Sequence, residues 1–219
     1  VELAHRFIIT DGHIDLPYRL KVRNFRLDRE YLGIPISTPD GDFDYERAKQ
    51  GGLAAPFMSI FIPSSYQNDL PAAKALADSL IFMMKGIIKA HPDKFAGGDS
   101  PEIIEANFQK GLISLPMGLE NGAPLITLED ISYYYHQGVR YVTLTHGKDN
   151  HICDSSYDTT KTWGGLSPYG YEVIAEMNRI GMMIDVSHIS DNTFYQVMKV
   201  SKACLLYTSP SPRDRTRYR

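Results

Sequence analysis

Acidic and histidine side chains follow several apolar runs of this sequence. His13 and Asp15 are two positions apart and come directly after the apolar run 7–10. In an extended strand this spacing places both side chains on the same face. An imidazole nitrogen and a carboxylate oxygen that converge in this way form half of a site for a divalent metal such as zinc. For this segment alone, a polar pair in a strand-to-loop turn is the competing interpretation, with Gly12 supplying backbone freedom.

Glu120, His146 and His188 occupy comparable positions further along the chain. They follow the apolar runs 112–119, 141–145 and 182–187, respectively. The carboxyl ends of parallel strands meet at one rim of a barrel, where active sites lie. With His13 and Asp15, these side chains suit a two-metal site in which a carboxylate bridges the ions and a water is activated between them.

Each of the later side chains also has a structural interpretation. Glu120 could be a solvated loop carboxylate, His188 a hydrogen-bonded core histidine and His146 a strand cap. In the polar loop 147–166, Asp149 and His151 are expected to face solvent. Trp163 is expected to pack beneath this loop.

The elements that must position these residues alternate between strands and helices. The sequence predicts strands at 7–10, 53–63, 112–119, 141–145 and 182–187, and helices at 42–50, 71–90, 100–109, 127–138, 167–181 and 191–202. A long polar loop is predicted at 17–41. The alternation predicts an α/β fold with a parallel sheet, either a doubly wound sheet or a (β/α)8 barrel.

The composition is that of a globular domain: 43% of the 219 residues are hydrophobic and 22% are charged. The net charge of −3 gives no electrostatic reason to expect nucleic acid or an anionic membrane as a partner. No apolar run reaches the roughly 18 residues of a membrane span, and the polar start shows no signal segment. Cys153 and Cys204 do not form a disulfide framework, so the cysteines do not indicate a cellular compartment for the protein.

Five ordered motifs resemble those of the membrane (renal) dipeptidase family of zinc metallopeptidases. They are DGHIDLP at 11–17, GLENG at 118–122, RYVTLTH at 140–146, GLSPYG at 165–170 and MIDVSHIS at 183–190. The resemblance covers residues 10–203. It implies a TIM-type (β/α)8 barrel that binds two zinc ions and hydrolyses dipeptides. For the intact parent protein it also implies a homodimer as a possible assembly.

The resemblance also assigns a role to each candidate residue. His13 and Asp15 would bind one zinc, Glu120 would bridge both ions, and His188 would bind the second. His146 would contact the dipeptide and stabilise the tetrahedral intermediate, so Glu120 and His146 are the expected catalytic residues. The same resemblance implies a further zinc-binding histidine, a substrate-binding arginine and an aspartate, all after residue 203.

The segment 204–219 departs from the family pattern. It is rich in Ser, Pro and Arg, shows no strand period, and is similar to a translated sequencing-library adapter. It is therefore expected to be a non-native, disordered tail, with a natural basic tail as the alternative. On this interpretation residues 1–203 form a partial dipeptidase barrel, truncated after about five βα units, that would be unstable and without turnover.

Two other functions stay open from the residues alone. One is a different binuclear-metal barrel hydrolase, such as a cyclic amidohydrolase or a phosphoesterase, because His13 and Asp15 suit these as well. The other is a non-catalytic binding protein built on the same barrel. The motifs around Glu120, His146 and His188 together favour the dipeptidase.

Overall fold

The computed structural model of the chain describes residues 2–24, 35–39 and 41–206. Its strands are β1 (Ile9–Ile14), β2 (Leu53–Phe61), β3 (Phe95–Gly97), β4 (Ile113–Leu115), β5 (Met117–Glu120), β6 (Val139–Thr143), β7 (Met183–Asp185) and β8 (Leu205–Leu206). Its α-helices are α1 (Leu16–Val22), α2 (Tyr45–Gly51), α3 (Leu70–Ala90), α4 (Pro101–Gln109), α5 (Leu128–His136), α6 (Pro168–Ile180) and α7 (Asp191–Val200). The alternation confirms the α/β prediction.

The chain divides into two compact units, and the first comprises Val1–Ile60 and Asp78–Met117. In this unit β1 runs parallel to β2, with Ile9 opposite Leu53. Strand β2 is buried along most of its length, as its unbroken apolar run predicts. Strands β3 and β4 form a second parallel pair.

The second unit comprises Phe61–Ala77 and Gly118–Arg219. Its described strands lie in the order β5, β6, β7, β8. Strands β6 and β7 are parallel, with Tyr141 opposite Met183 and Thr143 opposite Asp185. Helix α6 packs against α5 and α7. Buried side chains such as Tyr134, Val173 and Met177 belong to these helices, so their apolar stripes supply much of the core.

Helix ends follow the predicted signals. The side chains of Ser100 and Ser167 accept hydrogen bonds from backbone amides in the first turns of α4 and α6. Thr127 and Asp130 form the predicted capping box of α5. Gly181 ends α6 with a φ of 80°, which a residue with a side chain rarely adopts.

Three local predictions were wrong. The run 112–119 forms two strands, which are interrupted at Pro116. Strand β4 pairs with β3, a strand that was not predicted, whereas β5 pairs with β6. Helix α1 begins at Leu16 and overlaps the start of the predicted polar loop 17–41. Residues 25–34 and 40 of this loop fall outside the described residues. The first strand begins at Ile9 rather than Phe7, whose side chain is 61% exposed rather than buried.

The pairs β1–β2, β3–β4, β6–β7 and β7–β8 are parallel, which is consistent with a TIM-type barrel. Truncation after about five βα units stays a prediction. Leu205 and Leu206 form β8 beside β7 and thus lie in a strand, although no strand was predicted after residue 203. The rest of the predicted tail, 207–219, falls outside the described residues. Among the described helices, none combines the length and apolar character needed to cross a membrane.

Candidate metal centre

A carboxylate and two imidazoles meet in the second unit. The Glu120 oxygen Oε1 lies 3.4 Å from Nε2 of His188 and 3.6 Å from Nε2 of His146. The two imidazole rings are 4.4 Å apart between centroids. Glu120 is buried, with 5% of its surface exposed, and a carboxylate at this depth requires hydrogen-bonding or cationic partners.

These three side chains fit a zinc ion. Zinc binds imidazole nitrogen and carboxylate oxygen at about 2.0–2.2 Å in tetrahedral geometry, so two ligands of one ion are about 3.4 Å apart. The distances from Glu120 to both histidines are close to this value, and the donor atoms of all three residues lie within 4.8 Å of one another. The geometry alone therefore admits both histidines as ligands.

The register between β6 and β7 brings the histidines together. Thr143 pairs with Asp185, and His146 and His188 each lie three residues beyond this pair. The segments after β6 and β7 therefore leave the sheet at the same level, and the turns that follow them are neighbours. Ring contacts of His146 with Phe61, at 4.9 Å, and of His188 with Tyr157, at 5.8 Å, flank the pair.

Backbone hydrogen bonds fix Glu120 at the end of β5. The Ile62 amide donates to the Glu120 carbonyl at 3.0 Å, and the Asn121 amide donates to the Thr143 carbonyl at 3.1 Å. Asn121 then adopts a φ of 78° and turns the chain away from the sheet. Its side-chain Nδ2 donates to the Ile62 carbonyl at 2.9 Å, while its Oδ1 accepts from Asn150 at 3.1 Å. Asn121 thus ties the turn after Glu120 to two other segments.

Two glycines of the family motifs are explained by close packing. A Cβ atom at Gly118 would lie 2.0 Å from the Tyr141 ring, so β5 passes this ring only without a side chain. A Cβ at Gly170 would lie 2.2 Å from the Ile152 carbonyl oxygen. The GLSPYG motif is therefore a packing and helix-capping element, with Ser167 capping α6.

Asp185 shapes the turn that leads to His188. This buried carboxylate accepts hydrogen bonds from the Thr143 hydroxyl at 2.5 Å and from the Ser187 amide and hydroxyl at 3.1 and 2.8 Å. His188 follows with a φ of 66°, a left-handed conformation uncommon for residues other than glycine. The sequence predicted that His188 follows a strand, but the apolar pattern carries no signal for this left-handed turn.

His13 and Asp15 lie in the first unit. The His13 Nε2 atom is 3.3 Å from Asp15 Oδ1, so the two side chains converge as their spacing predicts. The His13 amide also donates to Asp11 Oδ1 at 2.9 Å. His13 belongs to β1, whereas Asp15 is the residue immediately before α1.

Three side chains of loop 147–166 depart from their predicted environments. Asp149 is half-buried and accepts hydrogen bonds from Ser155 and Thr162. The half-buried His151 donates through Nε2 to the Leu125 carbonyl at 2.8 Å, and burial lowers its pKa more than this bond raises it. Trp163 lies on the surface, 44% exposed, with its indole N–H bonded to the Asn150 carbonyl.

Asn121, Asn150 and Ser155 organise the site but were not predicted from the sequence. Asn121 lies inside the GLENG motif, and its position directly after Glu120 was a signal that could have identified it. Asn150 and Ser155 lie in a loop without periodicity, and only the fold shows that they contact the strand ends.

Comparison with known proteins identifies relatives of this chain. The model of the family described as membrane dipeptidase, peptidase family M19, matches residues 1–217. An uncharacterized dipeptidase of Schizosaccharomyces pombe is 33% identical over 226 residues, which cover 96% of this chain and 53% of that protein. The chain spans about half the length of the curated relatives it matches.

Solved structures share the fold. The probable dipeptidase PvdM from Pseudomonas aeruginosa superimposes with a TM-score of 0.83 at 24% identity, covering 97% of this chain and 54% of that one. A metallopeptidase from Rhodobacter sphaeroides, liganded with a phosphinate mimic of the dipeptide L-Ala-D-Ala, gives a TM-score of 0.78 at 20% identity, covering 92% and 64%. By the family match over nearly its whole length, this chain belongs to the membrane dipeptidase family, peptidase family M19.

Proposed function

We propose that this protein hydrolyses dipeptides in a zinc-dependent reaction. The observation that carries the proposal is the buried Glu120 carboxylate with two imidazole nitrogens 3.4 and 3.6 Å from one of its oxygens. This donor set occurs in a chain that belongs to a family of metallopeptidases. Dipeptides as the substrate class are supported by the dipeptidases among its relatives and by the dipeptide mimic bound to the Rhodobacter sphaeroides enzyme.

In this proposal Glu120 and His188 hold zinc in the second unit. When bound there, zinc supplies a Lewis acid that polarises the scissile carbonyl and lowers the pKa of a water molecule to near neutrality. Glu120 contributes a negative charge that balances the cation in a buried site. His188 contributes a neutral nitrogen ligand held by the turn that Asp185 shapes.

His146 has the role of a substrate-binding catalytic residue. Its side chain is 31% exposed, more than that of Glu120 or His188, so a dipeptide has access to it. An imidazole N–H can donate to the carbonyl oxygen that gains negative charge as the carbonyl carbon becomes tetrahedral. Such a bond strengthens along the reaction and therefore contributes to the rate. His146 is also close enough to Glu120 to bind the same zinc ion, so an experiment must distinguish its role from that of His188.

His13 and Asp15 are proposed to hold a second zinc. Their donor atoms lie 3.3 Å apart, which is the separation of two ligands on one ion. Two zinc ions per chain, with Glu120 as the shared ligand, stay a prediction from the family resemblance, as does a homodimer.

Hydrolysis of L-Ala-L-Ala and L-Ala-D-Ala by the purified, zinc-loaded chain tests the proposal. Release of free alanine that is lost in Glu120→Gln and restored by zinc after chelation would support it. Cyclic amides and phosphate diesters, offered in parallel, test the other hydrolases. A folded protein that binds zinc but cleaves none of these substrates would contradict the proposed activity. The comparisons favour neither these alternatives nor an inactive polypeptide.

A further inference from the structure

Two serines of the loop 147–166 contact the backbone of both site histidines. The Ser155 hydroxyl donates to the His146 carbonyl oxygen at 2.5 Å and lies 3.4 Å from the His188 carbonyl oxygen. Ser156 donates to the His188 carbonyl through its amide at 2.8 Å and its hydroxyl at 3.0 Å. The loop therefore joins the segments that follow β6 and β7 at the residues whose rings form the site.

The two serines do not contribute equally. A hydroxyl has one proton, and the shorter distance assigns the Ser155 proton to His146. The His188 carbonyl keeps an amide donor from Ser156 whatever side chain stands there. Loss of the Ser155 hydroxyl, in contrast, removes the bond that joins the loop to the His146 carbonyl.

Ser155 is itself held rigidly. It is 1% exposed, and its amide donates to Asp149 Oδ1 at 2.8 Å. It forms an antiparallel bridge with Ile189, and the preceding carbonyl, of Asp154, accepts from the Ser190 amide at 2.9 Å. The residue that contacts His146 is thus paired with the chain directly after His188.

We propose that Ser155 is a positioning residue that sets the separation of the His146 and His188 imidazoles and thereby places His146 for its action on the dipeptide. Without its bond, the peptide plane after His146 can rotate toward another donor, and this rotation displaces the ring. The consequence for dipeptide hydrolysis rests on the proposed function, whereas the consequence for ring separation does not. Misplacement of a catalytic group by about 1 Å can lower the rate by about 100-fold.

Two variants and one control test this role in the full chain. Ser155→Ala removes the hydroxyl. Ser155→Cys keeps a side chain of similar size but is a weak donor, which separates loss of the bond from loss of volume. Thr159→Ala, at an exposed position of the same loop, is the control.

The first measurement is made on metal-free protein. The nuclear Overhauser contact between the His146 and His188 rings, 4.4 Å apart, should be strong in the parent protein and in Thr159→Ala. It should weaken in both Ser155 variants. This result would support positioning even if no dipeptide were hydrolysed. An unchanged ring contact in both variants would overturn the proposal.

The second measurement is kcat and KM for dipeptide hydrolysis, together with the affinity for zinc by competition with a chelating dye. In Ser155→Ala we expect kcat to fall by about tenfold or more, with zinc affinity within about twofold of the parent and an unchanged melting temperature of the metal-free form. A kcat within about twofold of the parent would overturn the proposal. Failure of both variants to fold would also overturn it, because Ser155 would then be a general structural residue.

Discussion

The Oε1 atom of Glu120 lies 3.4 Å from Nε2 of His188, although their strands are not neighbours in the sheet. Strand β6 separates β5 from β7, and His146 of the intervening segment also approaches Oε1. Glu120 is the last residue of its strand, whereas His188 lies three residues beyond the end of its own. The left-handed turn at His188 accompanies this approach across the end of β6.

Glu120→Gln should abolish tight zinc binding and lower kcat/KM by at least about 100-fold. Glutamine keeps the shape of the side chain but removes the charge that balances the cation, and an amide is a poor zinc ligand. Zinc content after dialysis and the rate of dipeptide hydrolysis measure the two effects.

Glu105→Gln is the matched control, because Glu105 is an exposed residue of α4. It should leave both quantities within about twofold of the parent, as surface substitutions usually do. Full zinc content in Glu120→Gln would show that the carboxylate is not a ligand.

Replacing each histidine by alanine should separate their roles. His188→Ala should lower zinc content, because it deletes a proposed ligand. His146→Ala should keep zinc content and lower kcat with little change in metal affinity, because it deletes a group that acts on the substrate. The exposed His136, replaced in the same way, controls for loss of a histidine as such. If His146→Ala loses zinc to the same extent as His188→Ala, His146 is a ligand.

Most of the fold was predictable because its signals are local. Serine caps and the glycine after α6 marked helix ends within a residue or two, and apolar runs marked the buried strands. The break was missed because only Pro116 separates β4 from β5 in the sequence, and it is their pairing with different strands that distinguishes them.

The acidic and histidine residues of the site were found because each follows an apolar run. Their supports were not. Asp185 was predicted only as part of a strand, and its bonds to Thr143 and Ser187 depend on pairing with β6. The loop around Asp154 has no periodicity, so its order follows from side-chain bonds that only the fold reveals.

Asp154→Asn should destabilise the loop by about 1–3 kcal/mol. The buried Asp154 carboxylate accepts from the Trp163 amide at 2.9 Å and from the Gly165 amide at 2.8 Å. Asparagine offers one oxygen and directs an N–H group at the other donor, which leaves an amide without its partner. The free energy of unfolding in urea measures the loss.

Asp158→Asn is the comparison for this variant. Asp158 also accepts backbone amides, from Asp149 and Thr160, but it is less deeply buried than Asp154, so water replaces a lost bond more easily. Its loss of stability should be smaller than that of Asp154→Asn. Equal losses would mean that burial does not set the strength of these bonds.

His151 should make stability depend on pH below neutrality. Burial lowers its pKa from the ordinary value of 6.5, against a smaller opposing effect of its bond to the Leu125 carbonyl. The unfolded chain therefore binds a proton more readily than the folded one. The stabilisation is fully present above pH 6.5 and is lost as the pH falls through the lower pKa of the folded state.

His151→Phe tests this dependence, because phenylalanine keeps an aromatic ring against Tyr169 but does not titrate. Burial and nearby carboxylates raise the pKa of Tyr169 to about 12, so its hydroxyl stays protonated and donates to the Leu125 carbonyl throughout. Urea unfolding of metal-free protein between pH 8 and 5 should show the parent losing stability relative to the variant as the pH falls. This relative loss should not exceed about 1.4 kcal/mol per pH unit, the limit for one proton. The matched control is His136→Phe. If the stability difference between the parent and His151→Phe stays constant with pH, and that between the parent and His136→Phe does the same, folding does not lower the pKa of His151.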